Sequence, residues 1–137
     1  MITLRRAQVE EMCAHAREMN PLECCGLVGG MGDVAQSIYR LRNVTLTPSV
    51  AYEAAPRDLF AAQRLMRARG EALLGIYHSH PRQTQPAPSA TDVRLAYYPS
   101  AIYFIIGLSE SEKTVLRAFR ISEREKRWEA IEYIVLD

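Results

Sequence analysis

The stretch that decides the fold is residues 72–92, which reads ALLGIYHSHPRQTQPAPSATD. It begins with a continuous apolar run, and such a run predicts a strand that is covered on both faces. A polar, proline-rich loop follows. The stretch ends in Ser89-Ala90-Thr91-Asp92, which has the Ser-x-x-acid spacing of a capping box at the start of a helix. A buried strand that leads through a loop into a helix favours an α/β domain.

Two histidines, His78 and His80, stand at the end of the predicted strand. In extended chain, residues i and i+2 share a face, with Cα atoms roughly 6.5–7 Å apart. Their imidazoles can then meet at one metal ion, about 2.0–2.1 Å from each nitrogen. Asp92, the only acid between Glu71 and Glu110, is the nearest downstream carboxylate. The spacing predicts a metal site, although Asp92 could instead serve only the helix cap.

The rest of the chain predicts a mixed sheet flanked by helices, in a single domain over residues 1–137. A 3.6-residue apolar period indicates a first helix with Thr3 as its N-cap and Pro21 beyond its end. A second helix is expected to begin at Pro56 and to stop at Gly70. The remaining strands are expected at Cys24–Gly30, Val34–Val44, Ala101–Gly107, Lys113–Ile121 and Trp128–Val135, with a short helix over Ser89–Tyr98.

Composition excludes several classes of partner. Among 137 residues, 48% are hydrophobic and 24% are charged, as in an ordinary globular domain. Seventeen basic residues against sixteen acidic ones leave a charge of +1, which predicts neither nucleic acid nor membrane as a partner. Residues 1–11 have no apolar segment, so a signal peptide is not expected. Three cysteines are an odd, low count, which indicates a reducing cytoplasm.

Other folds that use a His-x-His pair do not match this chain. An amidohydrolase-type barrel needs about 250 residues. A zinc deaminase would show H-x-E followed by P-C-x-x-C, and neither motif occurs. A cupin would need a further histidine downstream, and none follows His80.

The motifs resemble those of a known family. His78-Ser79-His80-Pro81 followed by Ser89-Ala90-Thr91-Asp92 resembles the signature of the JAMM (MPN+) zinc metalloproteases, with the small bacterial members the most similar. Pro21–Gly30 (PLECCGLVGG) is similar to the family's first block, an acid before a Cys-Gly-hydrophobic strand. The resemblance implies the cytidine-deaminase-like MPN/JAB fold. One departure is that Pro81–Pro88 places eight residues between the second histidine and the serine, where the family usually has seven.

The resemblance also implies roles for the site residues. His78, His80 and Asp92 would hold a zinc ion. Glu23 would act as the general base, taking a proton from the attacking water and passing it to the leaving amine. Ser89 would donate a hydrogen bond to the oxyanion.

The residues alone do not single out Glu23. It lies far before His78 in the sequence, and Glu18 and Glu53 are equal candidates. A solvated acid before a strand is the ordinary interpretation of such a residue.

Family members cleave bonds next to the C-terminal tail of ubiquitin-like proteins. Some small bacterial members release an amino acid, such as cysteine, from the Gly-Gly end of a sulfur-carrier protein. The resemblance therefore implies a zinc peptidase acting on such a carrier, whose extended tail would bind as an added strand beside the sheet. A non-catalytic interaction scaffold and a zinc hydrolase of small amides remain alternatives, and a homodimer is compatible with the sequence.

Several other residues are expected to have no part in the site. His15, on the first helix, is expected to be exposed. Cys24 and Cys25 should point to opposite faces of their strand, so they cannot share one site. Five aromatic residues are expected in the core: Tyr97, Tyr98, Tyr103, Phe104 and Trp128.

Overall fold

The computed structural model describes residues 1–137 as three helices and eight strands. None of the helices has both the length and the apolar composition that crossing a membrane requires. In chain order the elements are β1 (Ile2–Arg5), α1 (Arg6–Met19), β2 (Cys25–Met31), β3 (Val34–Leu41), α2 (Pro56–Ala68), β4 (Ala72–His80), α3 (Ala90–Arg94), β5 (Ile102–Leu108), β6 (Thr114–Ser122), β7 (Arg127–Ile131) and β8 (Tyr133–Leu136).

All eight strands form one sheet in the order β7-β6-β5-β4-β2-β3-β1-β8. Strand β4 pairs in parallel with β5 and antiparallel with β2, so parallel and antiparallel pairs mix as predicted. Because β4 has a hydrogen-bonded neighbour on each side, the sheet has no free edge beside the histidines. The expected addition of a substrate strand is therefore limited to β7 and β8, the two edge strands.

The two faces of the sheet carry separate apolar cores. One core includes Met12 of α1 together with Cys24 and Tyr77. The other includes Met66 of α2 and Cys25. Adjacent residues thus enter opposite cores, which confirms the prediction for the two cysteines. Ile76 of β4 is also in the second core. His78 and His80 follow it on the α2 side, because side chains alternate along a strand.

The largest differences from the predicted boundaries lie where distant strands pair, and α3 in addition stops at Arg94, short of the predicted Tyr98. The first helix begins at Arg6 instead of just after Thr3, because Ile2–Arg5 is strand β1, paired in parallel with β8. The side chain of Gln8 accepts the Arg5 backbone N–H at 2.8 Å, which stabilises the late helix start. The last predicted strand is two strands, since β7 pairs with β6 while β8 crosses to β1.

Side-chain burial departs from expectation at four residues. His15 is 6% exposed, because α1 turns this side chain toward the sheet. Three of the five aromatics expected in the core are instead exposed at the surface: Tyr97, Tyr98 and Trp128. Tyr103 and Phe104, both on β5, are buried as predicted.

Candidate metal centre

Strand register brings Glu23 to the histidines. Cys25 lies opposite His78 in the antiparallel β2–β4 pair, and Ser79 N–H donates to the Cys24 carbonyl at 3.2 Å. Glu23 is two residues before Cys25, and His80 is two residues after His78. In an antiparallel pair this spacing places Glu23 opposite His80. A carboxylate oxygen of Glu23 lies within 4.8 Å of ring nitrogens of both histidines. The strand pairing therefore singles out Glu23, which the sequence alone does not.

Glu23 is held from both sides of its backbone. Its N–H donates to the Pro48 carbonyl at 2.7 Å, and its own carbonyl accepts from Asn43 Nδ2 at 3.0 Å. The residue is 5% exposed, so the interpretation as a solvated acid is wrong. Burial raises the pKa of the Glu23 carboxyl group to about 7. The Glu23 carboxyl group can therefore both gain and lose a proton near neutral pH.

Three electron-rich atoms from His78, His80 and Asp92 form a small triangle. The two Nε2 atoms are 3.1 Å apart, and Asp92 Oδ2 lies 3.2 Å from the first and 3.1 Å from the second. Ligand atoms around a tetrahedral zinc ion, with bonds of about 2.0–2.1 Å, are about 3.3–3.4 Å apart. Two imidazoles and a carboxylate also match the ligand preference of zinc. The residues present therefore fit the ion.

The pKa shifts of the three triangle residues also support a metal site. Burial lowers the pKa of the fully buried His78, and the adjacent Asp92 only partly offsets this effect. Burial also opposes a charge on His80, but the hydrogen bond to Asp92 raises its pKa overall. Burial alone would raise the pKa of Asp92, yet the hydrogen bonds to the two histidines hold it below its usual value. An ionised carboxylate between two imidazoles is a site that attracts a cation.

Asp92 serves the helix cap and the triangle together, although the sequence suggests that these two uses compete. Its Oδ2 accepts the Ser89 N–H at 2.9 Å while it faces both histidines. Ser89 Oγ in turn accepts the Asp92 N–H at 3.0 Å. The reciprocal bonds of this capping box aim the carboxylate at the histidines, and the hydroxyl hydrogen of Ser89 remains free to donate.

Two residues that sequence reasoning missed contact the histidine rings. Tyr52 stacks on His78, with ring centroids 4.6 Å apart and planes 28° apart. Gln83, in the proline-rich loop, lies with its Oε1 3.1 Å from His80 Nδ1. Tyr52 belongs to an irregular segment and Gln83 to a polar loop, so no periodic signal distinguishes either residue.

An apolar cavity of about 300 Å³ opens beside the triangle, on the α2 face of the sheet. Asp92 and Tyr52 form part of its wall, together with Met66 of α2. Tyr97 and Val50, which also line it, are 70% and 66% exposed. Asp92 is therefore the member of the triangle that faces this cavity.

The fold and this cluster together define a class, the JAB/MPN-type domain with a candidate metal centre of the JAMM pattern. Within that class, the chain belongs to the family described as prokaryotic homologs of the JAB domain, whose pattern matches residues 5–122. The predicted family is thereby confirmed.

Three relatives of known name are similar over most of the chain. Desampylase from Haloferax volcanii is 34% identical, with 70% of this chain and 73% of that protein aligned. The CysO-cysteine peptidase of Mycobacterium tuberculosis is 32% identical over 88% of this chain and 83% of its own. A probable TtuB-protein conjugate cleaving protease from Thermus thermophilus is 35% identical, over 88% and 76%.

Solved structures confirm the predicted fold. The solution structure of a protein from Desulfitobacterium hafniense has a TM-score of 0.86 and 41% identity, covering all of this chain and 94% of that one. A JAB1/MPN domain protein from Archaeoglobus fulgidus has a TM-score of 0.66 at 19% identity and is covered completely. This second likeness concerns the fold alone.

Proposed function

We propose that this chain is a zinc-dependent peptidase. Its substrate would be the amide bond after the C-terminal Gly-Gly of a ubiquitin-like or sulfur-carrier protein, and residues 1–137 would act as one catalytic domain. The observation that carries the proposal is the triangle of His78 Nε2, His80 Nε2 and Asp92 Oδ2, with the buried Glu23 carboxylate beside it. The relatives support the substrate class, since one is named a CysO-cysteine peptidase and another a probable TtuB-protein conjugate cleaving protease.

The three atoms of the triangle would hold the zinc ion. The chemistry that zinc supplies when bound is polarisation of the scissile carbonyl and a lower pKa for water. Strand β4 fixes the positions of the two histidines, and the α3 cap fixes that of Asp92. Little reorganisation would then be needed on binding.

Glu23 would move the proton. A carboxylate oxygen takes a proton from the water that attacks the carbonyl carbon, and the same oxygen then delivers it to the nitrogen of the leaving amine. The C–N bond breaks, leaving a carboxylate on the Gly-Gly tail and a free amine on the product. Burial, which raises the pKa of Glu23 to about 7, suits a group that must both accept and donate a proton near neutral pH.

Ser89 would stabilise the charge that develops on the carbonyl oxygen. Its Oγ already accepts the Asp92 N–H, which fixes the position of the hydroxyl. The hydroxyl hydrogen then donates to the oxyanion, an interaction that strengthens as negative charge accumulates.

The tail would approach on the α2 face. Strand β4 has neighbours on both sides, so a substrate cannot pair with it as an added strand. The apolar cavity beside Asp92 lies on that same face and supports a substrate chain that passes over the exposed Tyr97.

The central test replaces Glu23. We expect Glu23→Gln to lower the rate of hydrolysis by about 10²–10⁴-fold, because it removes only the proton carrier. Bound zinc should stay stoichiometric and the circular dichroism spectrum unchanged. Activity is measured by intact mass spectrometry of a carrier protein that carries a cysteine after its Gly-Gly. Glu18→Gln is the matched control, since Glu18 is an exposed partner of Arg40 on the other side of the sheet.

Each result decides a separate part of the proposal. Activity that survives in Glu23→Gln would show that another group is the base. Zinc-loaded protein that leaves every carrier conjugate intact, yet cuts unrelated peptides, would contradict the substrate class. Protein that binds no zinc after metal-replete purification would favour the non-catalytic scaffold.

A further inference from the structure

The orientation of the Gln83 amide follows from its neighbours. Its Oε1 faces the backbone N–H of Ala87 at 3.2 Å. A backbone N–H can only donate, so the amide atom that faces it must be the oxygen and not the nitrogen. The same oxygen lies 3.1 Å from His80 Nδ1.

This orientation decides where the proton of His80 is held. Because an amide oxygen can only accept, His80 Nδ1 must be the donor in this bond. When a cation takes the place of the Nε2 hydrogen bond to Asp92, the one proton of the neutral ring must be on Nδ1, where Gln83 accepts it. Nε2 is the atom that faces His78 Nε2 and Asp92 Oδ2.

The loop that carries Gln83 is anchored to the sheet. A Cβ atom at Gly107 would come within 2.3 Å of the Gln83 carbonyl oxygen, so the loop passes this close only over a glycine. Gly107 lies opposite His80 in the β4–β5 pair. Arg117 on β6 donates to the Pro86 carbonyl at 2.9 Å, which holds the far end of the loop. The eight-residue loop, which departs in length from the family pattern, is therefore a fixed support for the Gln83 side chain.

The other histidine has no comparable partner. His78 Nδ1 is buried and makes no hydrogen bond, and its ring is held by stacking on Tyr52. The contrast shows that the Gln83 contact is specific to His80.

We propose that Gln83 is a positioning residue, which accepts a hydrogen bond from His80 Nδ1 and so keeps Nε2 directed at the metal centre. The proposal rests on the proposed function for the identity of the ion, but its proton assignment concerns the metal-free protein. A partner on the outer nitrogen of a metal-binding histidine typically changes metal affinity by 10–100-fold.

The first test measures zinc affinity by competition with a chelator. We expect Gln83→Ala to weaken zinc binding by about 10–100-fold. Gln85→Ala, the same change at an exposed position of the same loop, should leave it unchanged. Gln83→Glu keeps an acceptor oxygen and should restore affinity, and Gln85→Glu controls for the added charge. Equal affinity in Gln83→Ala and Gln85→Ala would overturn the proposal, as would failure of Gln83→Glu to exceed Gln83→Ala.

The second test needs no metal. ¹H–¹⁵N spectra of the metal-free protein should show a proton on His80 Nδ1, and this proton should exchange with solvent faster in Gln83→Ala. A wild-type ring protonated only at Nε2 would overturn the proposal, as would equal exchange of the Nδ1 proton in the two proteins. Absence of zinc binding in the wild type would instead contradict the proposed function and leave this measurement to decide the role of Gln83.

Discussion

The two faces of strand β4 both bury polar side chains, but these side chains differ in their partners. On the α1 face, Tyr77 OH pairs with His15 Nδ1 at 2.7 Å, and Ser79 Oγ accepts the Cys24 N–H at 2.9 Å. On the α2 face, His78 Nδ1 has no partner, and the two facing Nε2 atoms meet the carboxylate of Asp92.

Both faces are equally buried, so burial does not mark the site. Buried polar groups are normally satisfied within the protein, and those that are not call for an explanation. On the α1 face the buried polar side chains have hydrogen-bond partners within the protein. On the α2 face two imidazole nitrogens and a carboxylate oxygen lie 3.1–3.2 Å apart, an arrangement that would suit a cation. Burial of His15 therefore serves packing on the α1 face, whereas burial of His78 and His80 supports the proposed metal site on the α2 face.

The largest effect should come from exchanging a histidine on the α2 face. His80→Ala removes one corner of the triangle, so we expect zinc content and hydrolysis both to fall to background. The loss should exceed the roughly 100-fold typical of a group outside the ligand set. Metal analysis and the conjugate assay measure it. His15→Gln should retain both zinc and activity, and loss of zinc in that variant would erase the distinction between the two faces.

A smaller effect is expected on the α1 face at low pH. Burial, with the nearby Arg40 charge, lowers the pKa of His15 from 6.5 to about 4. The unfolded chain then binds a proton more readily than the folded one, so stability is lost as pH falls from about 6.5 to 4. The loss from this group should reach about 3 kcal/mol at pH 4.

Urea unfolding of the wild type and of His15→Gln at pH 7, 5.5 and 4 isolates this contribution, because every other titrating group is shared. The wild type should lose more stability than the variant over this range. Parallel loss in the two proteins would show that His15 accepts a proton without cost.

The smallest effect concerns the ring beneath His78. Tyr52→Leu removes an aromatic contact worth about 0.5–1.5 kcal/mol, which corresponds to a fall in zinc affinity of roughly 2- to 12-fold. Tyr52→Phe keeps the ring and should keep the affinity. Chelator competition measures both variants, and equal affinity for Leu and Phe would show that stacking does not position His78.

Much of the fold is predictable because its signals are local. The apolar run of β4, the proline at the start of α2 and the glycine beyond its end each act within a few residues. The two largest errors occur where pairing between distant strands overrides the local pattern. Ile2–Arg5 fits a helical period but pairs with β8, and the segment after Trp128 divides because β8 pairs with β1 at the opposite edge.

The sequence by itself determined that His78 and His80 share a face, because alternation along a strand is a property of the local backbone. It also determined the capping box of Ser89 and Asp92, since that motif closes within one helical turn. Only the tertiary structure decided that Glu23 stands opposite His80, because this follows from a β2–β4 register that joins residues far apart in the chain.

The same holds for the supports of the site. Gln83 meets His80 because a loop is seated on Gly107, and His15 is buried because α1 packs on the sheet. Such contacts depend on how whole helices, strands and loops pack in three dimensions. The periodic pattern of apolar residues in the sequence therefore does not predict them.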